Sequence, residues 1–142
     1  MKKVLVLGSD NACHSIMIAA LMKHISFNRI EAYSAGLRKK KVNNYVKKVM
    51  QEIGIDIDKE ETHSMNEFIH TKFDVLITTT EEARHKASNL LTANTKIHKE
   101  FEDPRQFRGS KIDKENAFRE LREEIDEWLN EFISRHRLIK EI

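Results

Sequence analysis

The residues best placed for chemistry sit in one short stretch, Gly8-Ser9-Asp10-Asn11-Ala12-Cys13-His14-Ser15. It follows an apolar run, Val4 to Leu7, and precedes a helical pattern. A loop of small and polar residues between a buried strand and a helix N-terminus can turn successive backbone N–H groups inward. The helix adds partial positive charge there, and an oxyanion such as phosphate, sulfate or arsenate fits such a cradle. Two side chains of the loop could add reactivity. Cys13 is the only cysteine; near a helix N-terminus a thiolate is stabilised, although a small residue packing the loop is the plainer reading. His14 is the other candidate nucleophile. Asp103, in Asp103-Pro104, forms the turn that Asp-Pro favours. The other histidines (His24, His63, His70, His85, His98, His136) show no metal-ligand spacing, so neither metal nor cofactor is expected.

The elements that must position these groups follow from hydrophobic periodicity. Val4 to Leu7 reads as a strand buried on both faces of a parallel sheet. Met17, Ala20, Leu21 and Ile25 then share one face of a helix. Ile30 to Ser34 forms a second strand, ended by Ser34-Ala35-Gly36. Val42, Tyr45, Val46, Val49, Met50 and Ile53 make a helical stripe that Gly54 stops. Phe73 to Thr78 is a third strand, Glu81 to Leu91 a helix, and Thr95 to Lys99 a weak fourth strand. The last helix carries Phe118, Leu121, Ile125, Trp128, Leu129 and Phe132 on one face. Strands alternating with helices imply an α/β fold: a three-layer, doubly wound sheet of four parallel strands. Ligands of such sheets sit at the carboxyl ends of the strands, which returns attention to the 8–15 loop.

Composition narrows the function classes. The 142 residues suit one domain spanning 1–142. A net charge of +2 is too small for a broad nucleic-acid-binding face. The one basic cluster, Arg38-Lys39-Lys40-Lys41, is a solvated loop or a patch for an anionic ligand or partner. A lone cysteine forms no internal disulfide and suits a reducing compartment. With no signal-peptide pattern and no apolar stretch of membrane-spanning length, a cytoplasmic, soluble protein is expected.

The order of motifs along nearly the whole chain resembles the low-molecular-weight tyrosine phosphatases and the thioredoxin-coupled arsenate reductases. Val4 through Ser15 is similar to their phosphate loop, which reads Cys, five residues, Arg, then Ser or Thr. Ser34-Ala35-Gly36 resembles the turn after the second strand. Val42 to Tyr45 and Met50 to Ile55 resemble a helix and its exit in the arsenate reductase branch, Phe73 to Thr78 the third strand, and Phe101-Glu102-Asp103-Pro104 the loop carrying the general acid. The resemblance implies that Asp103 protonates a leaving group and that Asn11 and Ser34 brace the loop. It also exposes two departures. Gly8 stands where the family has its nucleophilic cysteine, and His14 where it has arginine. Glycine cannot attack phosphorus, and histidine lacks the paired, permanently charged donors of a guanidinium. Thr78-Thr79-Thr80 lacks the redox cysteine of the reductases.

Three functions stay open. The chain binds a phosphate-like oxyanion or phosphorylated ligand at residues 8–15 without efficient thiolate catalysis. Alternatively it is a phosphatase or reductase with altered chemistry, using Cys13 or His14 as nucleophile and Asp103 as acid. A third reading is an interaction module using helical faces or residues 38–41. No nucleic-acid or membrane partner is expected, and a protein partner stays open.

Overall fold

The computed structural model describes residues 1–139. Five parallel strands form one sheet in the order β3-β2-β1-β4-β5: β1 (Lys2–Gly8), β2 (Ile30–Gly36), β3 (His63–Ser64), β4 (Lys72–Thr78) and β5 (Thr92–His98). Four helices join or flank them: α1 (His14–Ile25), α2 (Asn44–Gln51), α3 (Glu81–Ala87) and α4 (Lys111–Arg135).

The expectation of four strands is thus corrected to five. β3 is only two residues, His63-Ser64, paired with Ala35-Gly36. Two polar residues carry no period to read; the neighbouring strand recruits them. The fourth expected strand starts earlier, at Thr92, and its residues are exposed or half-buried at the sheet edge. An edge strand has fewer apolar positions to declare itself.

Val4 to Leu7 is fully buried, because β1 lies at the centre with helices on both faces. Val4 and Val6 face a core built with α1, α2 and α4. Leu5 and Leu7 face a second, with Phe68, Phe73, Leu76 and α3 residues Ala83 and Ala87. This is the three-layer, doubly wound arrangement. The chain moves from β1 to β2 on one side and later to β4 on the other. The direction of strand order therefore reverses at β1, and the loop after it occupies the switch point.

Local signals set the element ends. Asn43 caps α2, its Oδ1 accepting the Tyr45 N–H at 2.8 Å. Gly54, at φ +82°, takes the left-handed turn beyond that helix. Ser110 and Asp113 form a capping box at the start of α4. Among the described residues, no helix is long and apolar enough to cross a membrane.

Candidate active site

The 8–15 loop is held from three sides. Its Ser9 carbonyl accepts the N–H groups of Leu37 and Arg38 at 2.9 and 3.0 Å, and its Ala12 carbonyl accepts that of Asn43 at 3.0 Å. Ser9 Oγ lies 2.8 Å from Thr80 Oγ1. Inside the loop, Asn11 adopts a left-handed conformation (φ 51°), and its Oδ1 accepts the Ser15 hydroxyl at 2.6 Å. Asn11 Nδ2 is buried and, among the described residues, has no hydrogen-bond partner. Gly36 permits the approach of β2: a Cβ there would come within 2.9 Å of Asn11 N and the Asp10 carbonyl carbon. Ser34 is buried on β2, in register with Val6.

Gly8 ends β1. A Cβ on it would meet Thr79 Oγ1 at 3.0 Å and Ser15 Oγ at 3.1 Å. Two hydroxyls thus crowd the place where a longer side chain would begin.

Cys13 is fully buried at the N-cap position of α1. Burial pushes its thiol up to about 12, despite the opposing pull of Arg105. The helix position alone suggested a stabilised thiolate; the packing around it decides otherwise. His14 opens α1, and its Nε2 lies 3.1 Å from the Glu102 carbonyl oxygen. Burial lowers its pKa more than that carbonyl and Asp103 raise it, so the ring is neutral at pH 7.

Asp103 caps a short 3₁₀ turn, Pro104–Gln106, by accepting the Arg105 N–H at 2.9 Å. The Arg105 side chain then folds back on the same carboxylate through Nε at 3.0 Å to both oxygens and Nη2 at 2.8 Å. Its Nη1 reaches Asp10 Oδ2 at 2.9 Å. Asp10 Oδ1 in turn accepts the Ala12 N–H at 3.0 Å. Burial pushes both carboxyls up, but hydrogen bonds and the guanidinium charge hold each below its ordinary value. Arg105 escaped the sequence reading. Its signal, a basic residue just after Asp-Pro, says nothing of a contact with a loop at the other end of the chain.

The structure therefore brings together Asp10, Cys13, His14, Asp103 and Arg105. One atom each from Cys13, His14 and Asp103 (a sulfur, a ring nitrogen and a carboxylate oxygen) lies within 4.8 Å of the other two. A groove of about 820 Å³ is lined by Asp103, Pro104, Phe107, Asn116, Leu121 and Glu124. In the basic cluster, Arg38 pairs with Glu82 at 2.8 and 2.9 Å, while Lys39, Lys40 and Lys41 are exposed.

Known proteins share this frame. Residues 3–141 match the family model for low molecular weight phosphotyrosine protein phosphatase. The arsenate reductase of Halalkalibacterium halodurans (strain C-125) is 28% identical over 131 residues, covering 92% of this chain and 94% of that one. Arsenate reductase 1 of Staphylococcus epidermidis is 31% identical over 103 residues, 72% of this chain and 78% of its own. A solved arsenate reductase in its reduced state superposes with a TM-score of 0.77 at 24% identity, covering 95% and 98% of the two chains. The low molecular weight protein tyrosine phosphatase of T. tengcongensis gives 0.77 at 18% identity, with 95% and 99% covered. With the match running through every element that shapes the loop, the chain belongs to the low-molecular-weight phosphotyrosine protein phosphatase family.

Proposed function

We propose that this family member binds a phosphate-like oxyanion at the 8–15 loop and does not carry out thiolate catalysis there. The observation that carries this reading is the state of the family's nucleophile position and of the lone cysteine. Gly8 has no side chain, and the thiol of Cys13 is buried and protonated at neutral pH. Nucleophilic attack on phosphorus needs an accessible thiolate.

The features supporting a ligand are physical. The loop precedes a twelve-residue helix, whose first N–H groups favour an anion. A buried donor, Asn11 Nδ2, lacks an acceptor, a state that costs roughly 1–3 kcal/mol until filled. Arg105 brings a guanidinium to the loop from the Asp-Pro segment, in place of the one absent at position 14. Asp10 is the internal competitor, because it holds both the Ala12 N–H and Arg105.

The altered-enzyme reading is weaker. Its general acid would be Asp103, which Arg105 keeps ionised at neutral pH, leaving no proton to give.

Calorimetric titration with phosphate and arsenate, run beside an aryl phosphate hydrolysis assay, tests the proposal. The expected outcome is binding without turnover, weakened in Arg105→Ala and strengthened in Asp10→Asn. Turnover abolished by Cys13→Ser would overturn it.

A further inference from the structure

The loop that the family uses for anions carries, in this chain, the side chains of a metal site. Cys13 and His14 come from the start of α1, and Asp103 from the Asp-Pro loop. Their three ligand atoms lie within 4.8 Å of one another. Four-coordinate zinc holds sulfur, nitrogen and oxygen ligands at about 2.0–2.3 Å, which places them roughly 3.5 Å apart. Closing the cluster asks for side-chain shifts on the order of 1 Å.

His14 and Asp103 are positioned by their neighbours, and Cys13, a buried thiol, binds only by losing its proton. His14 is the residue that makes the cluster: an arginine there has no lone pair to offer, whereas a neutral imidazole has one. The Glu102 carbonyl holds the ring in place, the kind of outer contact that orients metal-ligating histidines. Asp103 is held by Arg105, whose backbone N–H and side chain give each carboxylate oxygen two donors, so an ion there takes the place of one of those hydrogen bonds. Asp10 and Asp103 are met by Arg105, and Lys40 also acts on Asp10, so the cluster is near charge balance before an ion binds. A thiolate, an imidazole and a carboxylate are a donor set for zinc-class ions, not for magnesium or calcium.

We infer that Cys13, His14 and Asp103 bind a thiophilic divalent transition-metal ion of the zinc class, with a coordination position left open. On binding, the Cys13 S–H bond breaks, a sulfur–metal bond forms, and the proton passes to solvent. Nothing is oxidised or reduced. This site stands whether or not the loop takes an oxyanion. If it does, the open position gives the anion a positive centre that His14 by itself does not supply.

Cobalt(II) is the probe, added to the full chain in phosphate-free buffer with a non-thiol reductant. The expected result is one ion per chain, with sulfur-to-cobalt charge-transfer absorption and the intense visible bands of a four-coordinate ion, both removed by added zinc. His14→Arg, which restores the family's residue, abolishes the spectrum; Cys13→Ser removes the charge-transfer band. Asp103→Asn, at a half-buried position, weakens affinity by no less than about tenfold, the lower range for losing even an outer-shell partner. Circular dichroism checks that each variant is folded. Should Cys13→Ser fail to fold, the other two carry the test.

Absence of charge-transfer absorption at saturating cobalt overturns the inference. So does a spectrum unchanged in His14→Arg. Cobalt bound without that band, as at the exposed cluster Glu81, His98 and Glu100, also counts against it. Phosphate added afterwards separates the two ideas. A shift of the visible bands supports an oxyanion on the ion. No shift leaves the metal site standing and counts against anion binding at that position.

Discussion

At the scale of single residues, positions 8 and 14 differ in side-chain chemistry from the family pattern, while an Asn11–Ser15 hydrogen bond and the close approach of Gly36 brace the loop around them. Restoring Gly8→Cys together with His14→Arg is therefore expected to recover aryl phosphate hydrolysis, with Gly8→Cys alone recovering far less, because the guanidinium grip is missing. The structure adds a condition. A Cβ at position 8 presses on Thr79 Oγ1 at 3.0 Å and Ser15 Oγ at 3.1 Å, so the restored cysteine costs about 1–3 kcal/mol of stability. Adding Thr79→Ala, which removes the nearer hydroxyl, should raise the melting temperature of the double variant. Thermal melts of the three proteins check this. A folded double variant with no hydrolysis would refute the idea of a preserved frame.

Between elements, α2 and α4 are tied by charge as well as by packing. Glu52, just past α2, accepts from Arg119 Nη2 at 2.7 Å and from Arg122 Nη1 at 2.9 Å. Arg122 Nη1 also donates to the Val49 carbonyl at 2.6 Å. Hydrogen bonds from Arg119, then Arg122, hold the Glu52 carboxyl at about 2, against an ordinary 4.5. A carboxyl depressed in the folded state stabilises fully above its ordinary value, and that support is lost as pH falls through the folded value. Melting temperature should accordingly drop between about pH 4.5 and pH 2. Glu52→Gln should flatten that part of the profile and leave the neutral region nearly level. A profile identical to the parent's would show that the clamp contributes nothing to stability.

For the molecule as a whole, the central strand divides the interior in two. Leu5 belongs to the core on the α3 side, and Ile125 to the core on the side of α1, α2 and α4. Both are fully buried. Leu5→Ala and Ile125→Ala should each cost about 2–5 kcal/mol in denaturant titration. Because the two sites share no core cluster, the double variant should lose the sum to within about 0.5 kcal/mol. A large shortfall would mean that the faces are coupled through the sheet.

How much of this was legible beforehand depended on the range of the interaction. The apolar run Val4–Leu7, the stripe from Val42 to Ile53 and the face from Phe118 to Phe132 are local periodicities, so strands, helices and the loop's address at residues 8–15 followed from the sequence alone. The resemblance to the family added that Gly8 and His14 stand where it has a nucleophilic cysteine and an arginine. Tertiary structure decided the rest. It supplied the two-residue strand His63-Ser64, which exists only because Ala35-Gly36 offers a partner edge. Packing buried Cys13 and raised its thiol to about 12, where the helix terminus alone argued for a thiolate. Chain folding carried Arg105 and Asp103 to Asp10, and brought Asp103 beside Cys13 and His14. Charge, burial and coordination depend on neighbours in space, and sequence periodicity reports only neighbours along the chain.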